Sequence, residues 1–204
     1  MLGKHLQDPD ADSMAEFCEG VRIGVGVELK RTPAVWPPKQ RWPLGEFGED
    51  PVVELNNNYP SAVQRRHILL DELKEQISRG WAVSMTLGEA KARFGEVSVA
   101  PLAVIEEKDG KTRTLYDASN RVQINHRIKV RDGEHCPSSL DVQAAISGDS
   151  SVIRPIVSIV VDAEKAHQQV PLSPLDWGWV AFSADPMPEN QCDLDSWQIA
   201  VKTV

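Results

Sequence analysis

Apolar positions along this chain change their spacing several times, and each change marks an element. From Ala62 to Arg79, Val63, Leu70, Leu73 and Ile77 recur on one helical face with Leu69 alongside, while Arg65, Arg66, Glu72 and Lys74 mostly lie elsewhere. That spacing gathers side chains on one side of an α-helix, so the segment is expected to be amphipathic and helical. Ser61 is placed to cap its start and Gly80 to end it. Thr86 and Glu89 then form a capping box for a shorter helix that runs to about Phe94 and stops at Gly95.

Beyond Gly95 the period falls to two. Val99–Glu106 and Thr112–Asp117 read as strands joined by Lys108-Asp109-Gly110-Lys111. Asp-Gly between apolar strands is a strong local signal for a hairpin. Pro137-Ser138-Ser139 opens a third helix to about Ile146. Ile156–Val161 is a β-branched apolar run bounded by Pro155, the pattern of a buried strand, and it delivers Asp162 to its C-terminal edge. Val170–Leu172 and Trp177–Ser183 are further strand candidates. A loop with Pro186, Pro188 and Asp193-Leu194-Asp195 precedes a last strand near Trp197–Val204.

Residues 1 to about 60 follow neither period. A short helix is expected around Asp12–Gly20; then come Pro33, Pro37, Pro38, Pro43, Pro51 and Pro60, with Trp36 and Trp42 between them and Asn56-Asn57-Asn58 near the end. Proline at this density denies both helix and central strand. The leader is therefore irregular and extended, and it either packs over another domain or stays mobile. The chain divides into a leader over 1–60, helices and a basic hairpin over 61–150, and the Asp162 strand with its sequel over 151–204. The expected class is mixed α+β.

Composition adds a charge asymmetry. The 204 residues are 41% hydrophobic and 25% charged, a globular balance, and the net charge of −8 argues against a nucleic-acid binder if the chain is averaged. The average hides one basic band: Lys108, Lys111, Arg113, Arg121, Arg127, Lys129 and Arg131 stand among only Asp109 and Asp117. From Asp132 onward the cations are Arg154, Lys165 and Lys202. Cys18, Cys136 and Cys192 are odd in number, lack metal-ligand spacing and suggest no disulfide framework. No apolar stretch of membrane-spanning length occurs, and the N-terminus lacks a basic region followed by an apolar one. A soluble intracellular protein, cytoplasmic or nuclear and without a membrane partner, is the expectation.

Taken singly, the chemistry-bearing residues have plain readings. A lone Asp after a strand is a helix cap or turn former, and a charged hairpin tip serves solubility. Trp177-Gly178-Trp179 reads as core packing, and Gln168 and Gln169 have no assignable role.

Taken in order, they resemble a family. Lys108-Asp109-Gly110-Lys111-Thr112-Arg113, followed by Asp117 and by Asn120 or Asn125, resembles the fingers hairpin of reverse transcriptases. The strand ending in Asp162, with Val170-Pro171-Leu172 after it, resembles that family's first catalytic motif, and the helix leading to Trp81 resembles its approach to the fingers. The likeness covers about Tyr59 to Val204. It implies reverse-transcriptase-like fingers with an antiparallel hairpin and a partial palm sheet. The activity implied is RNA-directed DNA synthesis, as in retroelement enzymes, by two-metal phosphoryl transfer.

The same resemblance assigns roles by position. Arg113 would hold the triphosphate of the incoming nucleotide, with Lys111 or Lys108 assisting; Glu107 stands where the family is often basic. Asp162 would bind Mg²⁺ (or Mn²⁺), with the Ala163 carbonyl adding a contact. His167 falls where an aromatic residue often excludes a 2′-hydroxyl, although a packing histidine fits equally. Partners would be an RNA or DNA template-primer and deoxynucleoside triphosphates.

The family also needs a later Asp-Asp hairpin, and no Asp-Asp dipeptide occurs in this sequence. Its aromatic-Gly motif is expected just beyond Val204, with the rest of the palm and the thumb. The expectation is thus a fragment, inactive in isolation, of a reverse transcriptase. A degenerate remnant that only binds nucleic acid or protein is the alternative, and a single-Asp metal hydrolase would require ligands that the sequence does not supply.

Overall fold

A break at Arg65 splits the first amphipathic segment into two helices, α1 (Pro60–Gln64) and α2 (Arg66–Ser78). The computed structural model describes residues 17–29, 54–120, 122–128, 138–141 and 168–204, together with Val130, Asp132, Gly133 and Gln143. Most of the expected face is kept: Leu69 is buried, Leu70 and Leu73 pack against the core beside it and Gln76 is buried further on, whereas Val63, before the break, and Ile77, at the end of α2, are exposed. Ser61 does not cap: the N-cap is Tyr59, and the Ser61 hydroxyl accepts from the Val104 amide at 3.2 Å. Pro60 at the first helical position suits a start without a side-chain cap, because its missing N–H has no partner to lose there. Gly80 ends α2 as expected, at φ 74° and with its amide donating to the Ile77 carbonyl.

The capping box forms as the spacing requires. The Thr86 hydroxyl accepts from the Glu89 amide, and the Glu89 carboxylate accepts from the Thr86 amide, starting α3 (Leu87–Phe94) directly after β1 (Ala82–Thr86). Bonds donated by the Thr86 amide and the Thr86 hydroxyl hold the Glu89 carboxyl below its ordinary range. Gly95 at φ 80° is the stop.

β2 (Leu102–Glu106) and β3 (Thr112–Tyr116) form the antiparallel hairpin, in register from Leu102↔Tyr116 to Glu106↔Thr112. β2 starts later than the alternation suggests because Pro101 has no amide for a ladder, and Val99 instead bridges Leu55 and Ala181. A four-residue helix, α4 (Ile124–Arg127), follows. Ser138 opens a helical turn by exchanging hydrogen bonds with Asp141, in agreement with the expected third helix at its start.

β4 (Ala181–Phe182) and β5 (Gln198–Lys202) complete a second sheet of order β1-β5-β4, antiparallel throughout. Trp177–Val180 is not the strand expected: Pro174–Val180 winds as a 3₁₀ helix, and only Ala181 and Phe182 extend. Gly178 lies so close to the Glu96 carbonyl that a Cβ would sit 2.3 Å from its oxygen. Phe94 meets Trp177 edge-on, and the Trp177 indole donates to the Leu172 carbonyl, so this Trp-Gly-Trp segment packs. Another 3₁₀ stretch, Gln191–Ser196, leads into β5.

β5 is the centre of the molecule because both its faces are apolar. Ile199 and Val201 join Leu87, Ala90, Val97, Val99 and Trp197 on the α3 side. Ala200 joins Ala62, Leu69, Leu102, Val104 and Phe182 on the side of α1, α2 and the hairpin. Strand alternation puts Lys202 on that second face.

The leader reaches this core. Val25 is buried with Ala100, Ala118, Val122 and Ile124, and Val21 pairs in parallel with Leu172. Arg22 donates through two nitrogens to the fully buried Asp176 carboxylate, both at 2.9 Å, and the Ile23 amide adds a third bond at 2.7 Å. A carboxylate taken wholly out of water requires such a set of donors. Mixed α+β architecture with small antiparallel sheets is therefore observed. No described helix is long and apolar enough to cross a membrane.

Candidate functional site

The basic hairpin is stiff at its root and loose in charge at its tip. Glu107 donates from its amide to the Lys111 carbonyl at 2.8 Å, and Gly110 at φ 79° closes a three-residue loop that ordinary side chains would strain. At the root, Arg65 bonds Glu106 at 2.7 Å across partly exposed surface. The return strand leads into a polar knot: the Asp117 carboxylate accepts from the Tyr59 hydroxyl at 2.7 Å and from the Ser119 and Asn120 amides at 3.0 Å. Burial would raise the Asp117 carboxyl, but those bonds and the nearby His126 outweigh it and hold it below its ordinary range. Asn125 donates to the Ser119 hydroxyl, so both asparagines of the expected pattern belong to this knot.

Alternation divides the hairpin into two faces. Leu102, Val104, Thr114 and Tyr116 turn toward the core, where Tyr116 meets Phe182 edge-on. Ala103, Ile105, Arg113 and Leu115 share the other face, with Ile105 45% exposed and Arg113 exposed. Among the described residues Arg113 and Lys108 make no ion pair, whereas Lys111 pairs with Asp109 at 2.9 Å and holds that carboxyl below its ordinary range. An exposed pair within one turn is weak and can open. Arg113 is thus a guanidinium without an ion pair among the described residues, on a strand beside the exposed Ile105 and the half-buried Leu115.

Asp162, Ala163 and His167 lie outside the described residues, as do Arg121, Lys129 and Arg131 of the basic band. No group of three or more His, Cys, Asp or Glu able to hold a metal ion is found among the described residues. The described part of the candidate site is therefore the hairpin itself, and the metal part rests on the sequence motif.

A groove that sequence reading did not anticipate lies beside the hairpin. It encloses about 780 Å³ between α2 and β3, over a floor of Leu69, Leu102, Tyr116 and Phe182. Asp71, Glu72 and Glu75 line the α2 side, and Lys202 and Gln168 also border it. The Lys202 ammonium sits 5.7 Å from the Tyr116 ring centre. Burial pulls its pKa below the ordinary range while Glu72 pushes it back up. Burial likewise pushes the Tyr116 phenol well above its usual range.

No family model matches the chain, and no curated protein sequence matches it.

Proposed function

We propose that this chain contains the fingers and the first part of the palm of a reverse-transcriptase-type polymerase, whose complete form carries out RNA-directed DNA synthesis. The observation that carries the reading is Arg113: a guanidinium with no ion pair among the described residues, on a strand whose other face is anchored in the core. A guanidinium fork held this way suits the oxygens of a triphosphate, and Lys108 and Lys111 at the tip add point charges. The exposed Ile105 and half-buried Leu115 beside it would support the nucleotide's sugar and base. Asp162 with the Ala163 carbonyl would hold Mg²⁺, and that ion would supply charge neutralisation for in-line phosphoryl transfer. His167 would stand by the sugar.

Titration of the chain with a deoxynucleoside triphosphate tests the hairpin role. Arg113→Ala is expected to weaken binding by about tenfold, equivalent to about 1.4 kcal/mol. Lys111→Ala should weaken it less, because Lys111 already pairs with Asp109. Equal binding by wild type and Arg113→Ala would sink the assignment.

The absence of any Asp-Asp dipeptide favours a second reading, a non-catalytic remnant that binds nucleic acid or protein. Primer extension with Mg²⁺ distinguishes them once a downstream Asp-Asp hairpin is supplied. Synthesis that vanishes with Asp162→Asn supports the enzyme, and residues 1–204 alone should show none.

A further inference from the structure

The two outer edges of the hairpin are finished differently. Bonds from the Glu107 amide to the Lys111 carbonyl and from the Asp117 amide to the Pro101 carbonyl flank the ladder. Antiparallel pairing alternates, so Arg113 and Leu115 direct their main-chain groups to β2, while Thr112, Thr114 and Tyr116 direct theirs outward. On β2 the corresponding outward groups are occupied: the Leu102 amide donates to Asn58, the Val104 amide to Ser61, and the Leu102 carbonyl accepts from the Tyr59 amide. On β3 the outward main-chain groups find no partner among the described residues, and they face the groove beside α2.

Three further observations point to a ligand there. Gln168 is only 9% exposed, lines the groove, and has an amide oxygen without a hydrogen-bond partner among the described residues. The Thr114 hydroxyl is likewise buried and unpartnered. Lys202 forms no ion pair among the described residues although it is half-buried on the central strand. The opposite wall is acidic: Asp71 pairs with Lys74, Glu72 bonds Gln76 and Glu75 pairs with Arg79.

We propose that this groove accepts an extended peptide as an added strand on β3, with basic side chains against α2 and a terminal carboxylate at Lys202. An open strand edge supplies main-chain hydrogen bonds at fixed spacing, and the flanking groups supply selectivity. Apolar side chains on the inward positions would meet Leu69, Leu102 and Phe182, and outward lysines or arginines would meet Asp71 and Glu72. A small anion alone would satisfy Lys202 but would leave the strand edge and the acidic wall without partners. Arg113 also borders the groove, and it is the strand-edge bonds and the Lys202 contact that set this site apart from the triphosphate role given to Arg113.

The test uses a synthetic hexapeptide of alternating lysine and valine with a free C-terminal carboxylate, followed by NMR and fluorescence anisotropy on the whole chain. Saturable binding is expected. Amidation of the peptide terminus, Lys202→Met and Thr114→Pro should each weaken it by about tenfold. Thr114→Pro removes one outward amide and nothing from the β2 ladder. Absence of binding at millimolar peptide, or binding indifferent to Thr114→Pro and to N-methylation of alternate peptide amides, overturns the proposal. So does a dimer that Thr114→Pro dissociates, which would make a second copy of the chain the occupant. A large loss of melting temperature in Thr114→Pro without peptide binding would assign the edge to the chain's own residues and overturn it equally.

Discussion

β2 and β3 are partners in one hairpin and yet have opposite surroundings. β2 carries its outer edge against residues 58–61, which bond both Leu102 and Val104 and pass a second hydrogen bond from Asn58 to the Ser183 carbonyl. β3 carries its outer edge along an open groove. The first arrangement fixes the hairpin to the central sheet. The second leaves a strand whose outward main chain and Arg113 guanidinium have no partner among the described residues. Stiffness and availability in a single two-stranded unit thus come from sealing only one of its edges.

The same substitution on the two members of one cross-strand pair is the sharpest way to break that contrast. Val104 lies opposite Thr114. Val104→Pro removes an amide that donates to Ser61, in a residue 2% exposed, and should cost about 3 kcal/mol or more. At about 2–4 °C per kcal/mol for a chain of this size, the loss is plain in a melting curve. Asn58→Ala comes next. It leaves the Leu102 amide and the Ser183 carbonyl without their partner, for about 2 kcal/mol in denaturant titration. A loss below about 0.5 kcal/mol for Asn58→Ala would show that the β2 edge is not what anchors the hairpin.

A smaller effect is expected at the polar knot that ends β3. The Asp117 carboxyl is held below its ordinary value of 3.8 by Tyr59, Asn120 and Ser119 against the opposing effect of burial. A depressed carboxyl contributes its stability fully above the unfolded value, and the contribution disappears as pH falls through the folded value. Tyr59→Phe removes one of those donors, so its acid-unfolding midpoint should move to higher pH than that of wild type. At neutral pH the loss should be about 1 kcal/mol. An unchanged acid limb would mean that the two backbone amides alone hold the carboxylate.

Local signals were readable in the amino-acid order, and long-range ones were not. The Thr86–Glu89 box, the Gly80 and Gly95 stops and the Lys108-Asp109-Gly110 turn depend on residues a few positions apart, and all appear as the pattern implies. Ser61 failed as a cap because a strand far along the chain offers its hydroxyl a better-placed amide. The helical face holds at Leu69, Leu70 and Leu73, and the break at Arg65 takes only Val63 out of phase with them. Trp177–Val180 looks like a strand by composition, yet Pro174 and the close approach of Gly178 to Glu96 favour a 3₁₀ turn. The pairing of Arg22 with Asp176 spans 154 positions and has no local trace. Within the candidate site, the hairpin that carries Arg113 was legible from its Asp109-Gly110 turn. The groove was not, because an open edge is defined by which residues fail to pair.

The smallest expected effect is the most informative about that open edge. Thr114→Pro sets φ near the value that an edge strand can approach and removes an amide that bonds nothing among the described residues. It also removes a buried hydroxyl without a partner, which offsets part of the strain. The net cost should stay below about 1 kcal/mol, a shift of a few degrees at most. Hydrogen exchange supplies the second measure: the Leu115 amide, directed to β2, should remain protected in the variant, while the Thr112 and Tyr116 amides should exchange quickly in wild type and variant alike. Slow exchange at Thr112 and Tyr116 in the free chain would show that the β3 edge is already paired and that the contrast between the two strands is false.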